Sequence, residues 1–368
     1  MRAASDAPDP VSALFSPLQL RSLTLPNRIM VSPMCQYSSE DGMPNDWHLV
    51  HLGSRAVGGA AMVCVEASGV TPEGRITPWD AGLWSSAHAK AWKGVADFIR
   101  ANGAVPAIQL AHAGRKASVD KPWRGGKPIA LADGGWETLA PSAIAFGHYA
   151  TPRAMTTQEI DKTVDDFRRA AGYALEAGFD AVEVHGAHGY LLHEFCSPLS
   201  NLRSDEYGGS LDNRIRFPLA VAKAVRDAWP QDKPVLYRIS ASDWAPGGWE
   251  IEQSITLCRA LKSLGIDMVD CSSGGNVHDA KIKLGPGYQV PFSEAIRAAT
   301  GIPTMAVGLI GDAVQAEEIV SLGRADAICL ARALLRDPYW PRHAAKALGV
   351  AMEWPDQYKR CDVGPLGR

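Results

Sequence analysis

Apolar residues in this chain gather in short runs that recur after helical stretches. Leu175-Glu176-Ala177-Gly178-Phe179-Asp180-Ala181-Val182-Glu183-Val184 has counterparts in Leu261 to Asp270 and in Ile319 to Ile328. Each reads as the end of a helix, a glycine free to take positive φ, and a short buried strand. Asn102-Gly103 and Gly58-Gly59 mark similar junctions. The pattern predicts eight strands: Arg28 to Met34, Ala61 to Glu66, Val105 to Leu110, Phe179 to His185, Pro234 to Ser240, Ile266 to Cys271, Pro303 to Gly308 and Asp326 to Leu330. Amphipathic helical patterns separate most of them, for example over Asp161 to Glu176, Leu211 to Ala228 and Ile251 to Leu264. Regular β-then-α alternation predicts a parallel sheet. Eight units predict an α/β fold closed as a (β/α)8 TIM barrel rather than an open doubly wound sheet.

The rhythm breaks once. Almost fifty residues rich in Gly, Pro and Trp separate Leu110 from the helix near Glu159, without strong periodicity. Such an excursion is expected to be a capping lid or binding loop, here from His112 to Met155. No charge run or low-complexity segment marks a domain boundary. The expected organisation is a flexible tail over 1–13, a single barrel domain over 14–350 and a C-terminal extension over 351–368.

Composition changes this picture little. Of 368 residues, 46% are hydrophobic and 21% charged, an ordinary globular balance. A formal net charge of −3 gives no electrostatic reason to expect nucleic acid or an anionic membrane as partner. The first ten residues lack the apolar core of a secretory signal, and Gly59 to Val65 is too short to cross a bilayer. Seven scattered cysteines read as reduced thiols in a cytoplasmic protein.

Barrels of this kind carry their reactive groups at the C-terminal ends of the strands. The first strand delivers Ser32-Pro33-Met34-Cys35, with Gln36 and Tyr37 beyond it. The second gives Glu66-Ala67, and the third Gln109 followed by His112. From the fourth come His185, His188 and Tyr190; the fifth supplies Arg238, the seventh Gly308 and the eighth Ala331-Arg332. Polar groups accumulating where a barrel opens imply a pocket. Two imidazoles three residues apart can converge on one oxygen, and a nearby phenol can supply a proton. Taken alone, they could equally be hydrogen-bonded loop histidines beside a packing tyrosine. Arg238 reads as a cation for an anion or electron-rich ring, with an internal ion pair as the structural alternative. Gly308 and Arg332 stand where many barrels bind phosphate. Cys35 could simply be a buried apolar residue. In Trp47-His48-Leu49-Val50-His51, at a helix start, the histidines read as capping or packing groups rather than ligands.

Ser-Pro-Met-Cys-Gln-Tyr on the first strand, an isolated Gln on the third, His-Gly-Ala-His-Gly-Tyr on the fourth and Arg on the fifth have a joint implication. The chain resembles the Old Yellow Enzyme family of flavin-dependent ene-reductases, in its thermophilic-like subclass, which includes the xenobiotic reductases. The likeness runs from Leu14-Phe15-Ser16-Pro17 to Gln357-Tyr358-Lys359-Arg360 and includes Ser197 to Ser210 followed by Asn213-Arg214. It implies FMN bound tightly but non-covalently across the barrel mouth. Ser32, Pro33, Met34 and Cys35 would line its ring and ribityl side, and Ala67 and Gln109 its pyrimidine edge. Arg238 would sit near N1 and O2, and Gly308, Ala331 and Arg332 would hold the phosphate. Family members often carry Gly in place of Ala331, a departure that leaves the backbone N–H available. The resemblance further implies NAD(P)H as reductant and electrophilic alkenes (enones, maleimides, nitroalkenes) as acceptors, in turn, at one site. His185 and His188 would hold the acceptor's carbonyl oxygen, Tyr190 would protonate its α-carbon, and Tyr37 and Cys35 would touch it. Arg360 would reach the active site of a neighbouring subunit, in a homodimer or homotetramer.

Three other readings compete. Sister flavin barrels carry a clustered-cysteine iron–sulfur site, but only Cys361 follows Cys329 here. A metal-dependent hydrolase could use Glu66, His112 and His185, although Arg238 would then face the cation to no purpose. A non-catalytic barrel would bind flavin without being reduced; the expected metal is none.

Overall fold

The computed structural model describes residues 12–362, so most of the expected N-terminal tail, and 363–368 of the C-terminal extension, lie outside the described residues. Eight parallel strands close on themselves: β1 (Ile29–Val31), β2 (Met62–Gly69), β3 (Val105–Ala111), β4 (Ala181–Gly186), β5 (Val235–Ser240), β6 (Met268–Ser272), β7 (Thr304–Ala306) and β8 (Ala327–Leu330), which pairs back onto β1. All eight fall where the apolar runs predict them. Around them stand α1 (Asp46–Val57), α2 (Ser86–Ala101), α3 (Thr157–Glu176), α4 (Leu211–Ala228), α5 (Ile251–Ser263), α6 (Val290–Thr300), α7 (Ala313–Ser321) and α8 (Trp340–Ala347). The recurring glycines do what the pattern requires: Gly178, Gly265 and Gly323 take φ of +85°, +86° and +68°. A side chain would resist that backbone. α3 starts earlier than its periodicity suggests, because Thr156 accepts from the Glu159 N–H while Glu159 reaches back to the Thr156 N–H. Such a cap contributes ~1 kcal/mol.

Strand alternation divides the apolar residues into two cores. Val63, Val65, Ile108, Val182, Val184 and Val235 face outward and pack with helix residues such as Trp92, Phe167 and Phe217. Met30, Met62, Cys64, Ala107, Leu236, Met268 and Met305 fill the barrel interior. An antiparallel hairpin, Leu18–Leu20 with Leu23–Leu25, precedes β1, and its Leu20 and Leu25 join that inner core. It closes the end where the strands begin, leaving the other end for chemistry. Three-residue strands give too little alternation for the hairpin to be read from the sequence.

The excursion after β3 is ordered. It holds three short 3-10 turns and a two-residue pairing of Leu139–Ala140 with Arg153–Ala154. Trp136 anchors it by donating its indole N–H to the Glu73 carbonyl at 2.9 Å. No helix among the described residues is long and apolar enough to cross a membrane.

Candidate active site

Two residues further along each of four adjacent strands, the barrel interior changes from apolar to polar. Ala107, Ala181, Leu236 and Met268 are followed by Gln109, Glu183, Arg238 and Asp270. The period of two sends both members of each pair to the same face. Gln109 donates to Glu183 at 2.7 Å, and the Arg238 Nε lies 3.1 Å from Asp270 but without hydrogen-bond alignment. Burial pushes the Glu183 carboxyl up to about 8, with the Asp270 charge adding to it and Arg238 opposing. Asp270, nearest the guanidinium, is the carboxylate that balances Arg238, and Glu183 is the protonated neighbour. The ion-pair alternative for Arg238 is therefore present, and its cation still stands at the mouth of the barrel.

Two residues further again, β4 carries His185 and β6 ends in Ser272. The chain then turns through His188 and Gly189, at φ of +59° and +70°, to Tyr190. The His185 ring lies 5.2 Å from that of His188 and 5.1 Å from that of Tyr190, near-perpendicular to both. Ala187 N–H points to His185 Nδ1 at 3.3 Å, which leaves Nε2 to carry the proton. His188 meets the Ser272 hydroxyl through Nε2 at 2.7 Å, leaving Nδ1 free. Burial first, then the Arg238 charge, holds both imidazoles well below their ordinary value, so both are neutral. Burial likewise keeps the Tyr190 phenol protonated.

β2 carries a local irregularity that organises the next wall. Its register against β3 shifts between Val65 and Ala67, so Ala67 pairs with Gln109. Such a bulge re-aims the extra residue. Glu66 turns to accept from the Gln36 N–H at 3.0 Å and approaches His48 at 3.6 Å. That holds the segment bearing half-buried Cys35 and Tyr37, the latter at φ +51°. Tyr37 and Tyr190 line one cavity of about 340 Å³ with His148 and Tyr149 of the lid. His48 also completes the cap of α1, as its position at a helix start suggests.

A second cavity, of about 280 Å³, opens beside β6, β7 and β8, lined by Ser272, Gln289, Gly308, Ala331, Arg332 and Arg336. Gly308 has φ +120°, and a Cβ there would stand 2.8 Å from the Gln289 amide nitrogen. An exposed arginine beside a close-approach glycine suits a phosphate. At the other end, the buried Arg238 Nε lacks a hydrogen-bond partner. The residues present therefore fit FMN: a cradle suited to phosphate at one end and a buried cation with an unused donor at the other.

Arg360 is different. It lies exposed on the C-terminal turn Asp356–Asp362, in a cavity shared with Tyr358 and Trp354 and with none of the residues above. Reasoning from the sequence also passed over Glu183, Asp270, Ser272, Gln289 and Lys116. The first two carried a readable signal, an acid inside an apolar strand, and Ser272 stands at a strand end; Gln289 and Lys116 depend on which loops meet.

These features are those of a flavin-dependent oxidoreductase barrel. The sequence model of the NADH:flavin oxidoreductase / NADH oxidase family matches residues 13–350. NADPH dehydrogenase of Halalkalibacterium halodurans is 48% identical over 349 residues, covering 94% of this chain and 98% of the relative. NADPH dehydrogenase of Bacillus subtilis is 46% identical over 350 residues, with the same coverage. Among solved structures, morphinone reductase superposes with a TM-score of 0.77 at 29% identity, covering 96% of this chain and 94% of that one. The old yellow enzyme homologue from Zymomonas mobilis gives 0.76 at 25%, covering 96% and 98%. The chain belongs to this family, the Old Yellow Enzyme family of enzymes that bind FMN and draw reducing equivalents from NAD(P)H. The metal-dependent hydrolase alternative falls with that membership, and Glu66, one of its three ligands, is turned toward Gln36 and His48.

Proposed function

We propose that the protein reduces the C=C bond of α,β-unsaturated carbonyl and related compounds (enones, maleimides, nitroalkenes), with NADPH and acceptor alternating at one site. The observation that carries this reading is the clustering of His185, His188 and Tyr190 at the end of β4. Bound FMN would carry two electrons, as hydride, from NADPH to the β-carbon of the acceptor. The chain's own groups manage the rest. Neutral His185 offers Nε2–H to the carbonyl oxygen, and His188, fixed by Ser272, offers Nδ1. As hydride arrives, the π electrons of the double bond move toward that oxygen, where donors already aimed at the growing charge stabilise it. The Tyr190 phenol gives its proton to the α-carbon and regains one from solvent. Tyr37 and Cys35 bound the substrate from β1.

The reading extends to assembly and setting. The barrel of 14–350 is one catalytic unit, and the segment 351–368 presents Arg360 to a neighbouring subunit in a homodimer or homotetramer, which its exposure on the C-terminal turn supports. Seven cysteines without a disulfide suit a cytoplasmic protein. Arg360→Ala should raise the KM for the acceptor while the sedimentation coefficient stays oligomeric.

The deciding experiment is anaerobic. NADPH should bleach the flavin absorbance of the purified protein, and 2-cyclohexenone should restore it. A preorganised donor is worth ~3–4 kcal/mol, so His185→Ala should slow recolouring about 10²–10³-fold. Tyr190→Phe should slow recolouring and spare bleaching. Unchanged turnover in both variants would refute these roles.

A further inference from the structure

Lys116 lies in the lid, one turn after β3, and has no carboxylate partner among the described residues. Its ammonium instead meets two backbone carbonyls from two other loops, His188 O at 2.8 Å and Gly275 O at 2.9 Å. The same nitrogen stands 4.4 Å from the centre of the Phe146 ring and 5.1 Å from that of Tyr190. The two carbonyl-bearing turns are pressed backbone to backbone. A Cβ at Gly275 would fall 2.6 Å from the His188 carbonyl oxygen, and one at Gly189 would collide with the Gly275 carbonyl. Two carbonyl dipoles aimed at one point repel unless a cation occupies it. His188 also holds a left-handed backbone unusual for a residue with a Cβ, which only surrounding contacts can impose.

The neighbours of Lys116 fix the lysine in turn. Glu194 accepts from the Arg115 N–H at 2.9 Å, and the Arg115 side chain donates to the Asn276 carbonyl at 2.6 Å and to Ile144 O at 3.3 Å. Four segments thus meet at residues 115 and 116: the lid, the short helix after Tyr190, the His188 turn and the loop after β6.

We propose that Lys116 is the positioning residue for proton delivery. Its ammonium ties the turn that carries Tyr190 to the loop after β6, and the lid's Phe146 ring closes over the same charge. The proposal rests on the reading of Tyr190 as proton donor. It extends that reading by naming the group that holds the donor in place. Lys116 also lines the cavity shared by Tyr37 and Tyr190, and its part there is to hold the donor, not to transfer the proton. The tether should matter most when acceptor is reduced, the half-reaction that needs Tyr190.

The test uses holoenzyme in anaerobic rapid mixing, with NADPH for one half-reaction and 2-cyclohexenone for the other, for Lys116→Met, Lys116→Gln, Phe146→Leu and Tyr190→Phe. Lys116→Met should slow the oxidative half-reaction at least tenfold more than the reductive one. Lys116→Gln, which keeps a donor for a carbonyl, should fall between Lys116→Met and the parent. Hydrogen exchange gives a readout independent of turnover. Lys116→Met should speed exchange over 142–149, 186–190 and 273–276 and leave α3 and α4 unchanged, whereas Phe146→Leu should speed 142–149 alone. Equal slowing of both half-reactions, or unaltered exchange in the three loops, would overturn the proposal. If Lys116→Met does not fold, Lys116→Gln is judged by the same two criteria. Should Tyr190→Phe leave the oxidative half-reaction intact, the donor reading fails by itself, and the exchange pattern alone decides whether Lys116 is the tether.

Discussion

Removing Arg238 would strand a charge inside the barrel, and the size of the penalty follows from its neighbours. Asp270 is fully buried 3.1 Å from the guanidinium, and neither of its oxygens has a hydrogen-bond partner. Glu183, pushed up to about 8, is already neutral at pH 7, so Arg238→Met leaves one unbalanced carboxylate rather than two. Breaking a buried pair from one side costs about 3–5 kcal/mol. With an unfolding entropy of about 2.1 cal/mol/K per residue over the barrel, that loss lowers Tm by roughly 4–7 °C. Arg238→Met combined with Asp270→Asn should recover most of it, because no charge is then left in the interior. The pH dependence has a definite sign. Burial already holds the Asp270 pKa above its ordinary value against the pull of Arg238, and removing that cation raises it further, so the deficit of Arg238→Met shrinks as pH falls and is largest on the alkaline side. Thermal melts of parent, single and double variants at pH 5 and pH 7, with and without FMN, measure all of this. A single variant as stable as the parent, or a double variant no better than the single, would refute the assignment of Asp270 as the counter-ion.

Two further outcomes are expected. Burial pushes Glu66 up to about 8 against the pull of the Gln36 N–H, so its stabilising proton is fully in place below the ordinary carboxylate range and is lost as pH rises through about 8. Glu66→Gln, neutral throughout and still able to accept from Gln36, should therefore gain on the parent in melting temperature from pH 5 to pH 8.5; a constant difference would contradict the buried acid. At Gly308, where φ is +120°, Gly308→Ala introduces strain of about 1–3 kcal/mol, and fluorescence titration should show FMN affinity weakened at least roughly fivefold. An unchanged Kd would remove Gly308 from the phosphate cradle.

The barrel was legible because its determinants are local. Each strand is a short apolar run, three of them follow helix ends marked by Gly178, Gly265 and Gly323, and eight strand-then-helix units leave few topologies. Candidate site residues followed from one rule, that strand ends face the mouth. The rule finds His185, Arg238 and Gly308 because each stands on a strand or immediately after one. It misses Lys116 and Gln289, whose importance lies in what they meet across 72 and 18 positions of sequence. The hairpin that plugs the barrel was missed too, since three residues per strand are too few to show a period.

By itself, the sequence determined the alternation of elements, the chemistry placed at the strand ends and the lineage those motifs carry. Periodicity and covalent order are enough to dictate which residues share a face. Only the tertiary structure decided how those groups pair. It made Asp270 the partner of Arg238, turned Glu66 away through a bulge, and gave one nitrogen of His188 to Ser272. It also brought the lid, the turn and a neighbouring loop to one ammonium at Lys116. The reason is physical: such contacts are closed by packing between segments far apart in the chain, and no local pattern encodes the distance between two loops.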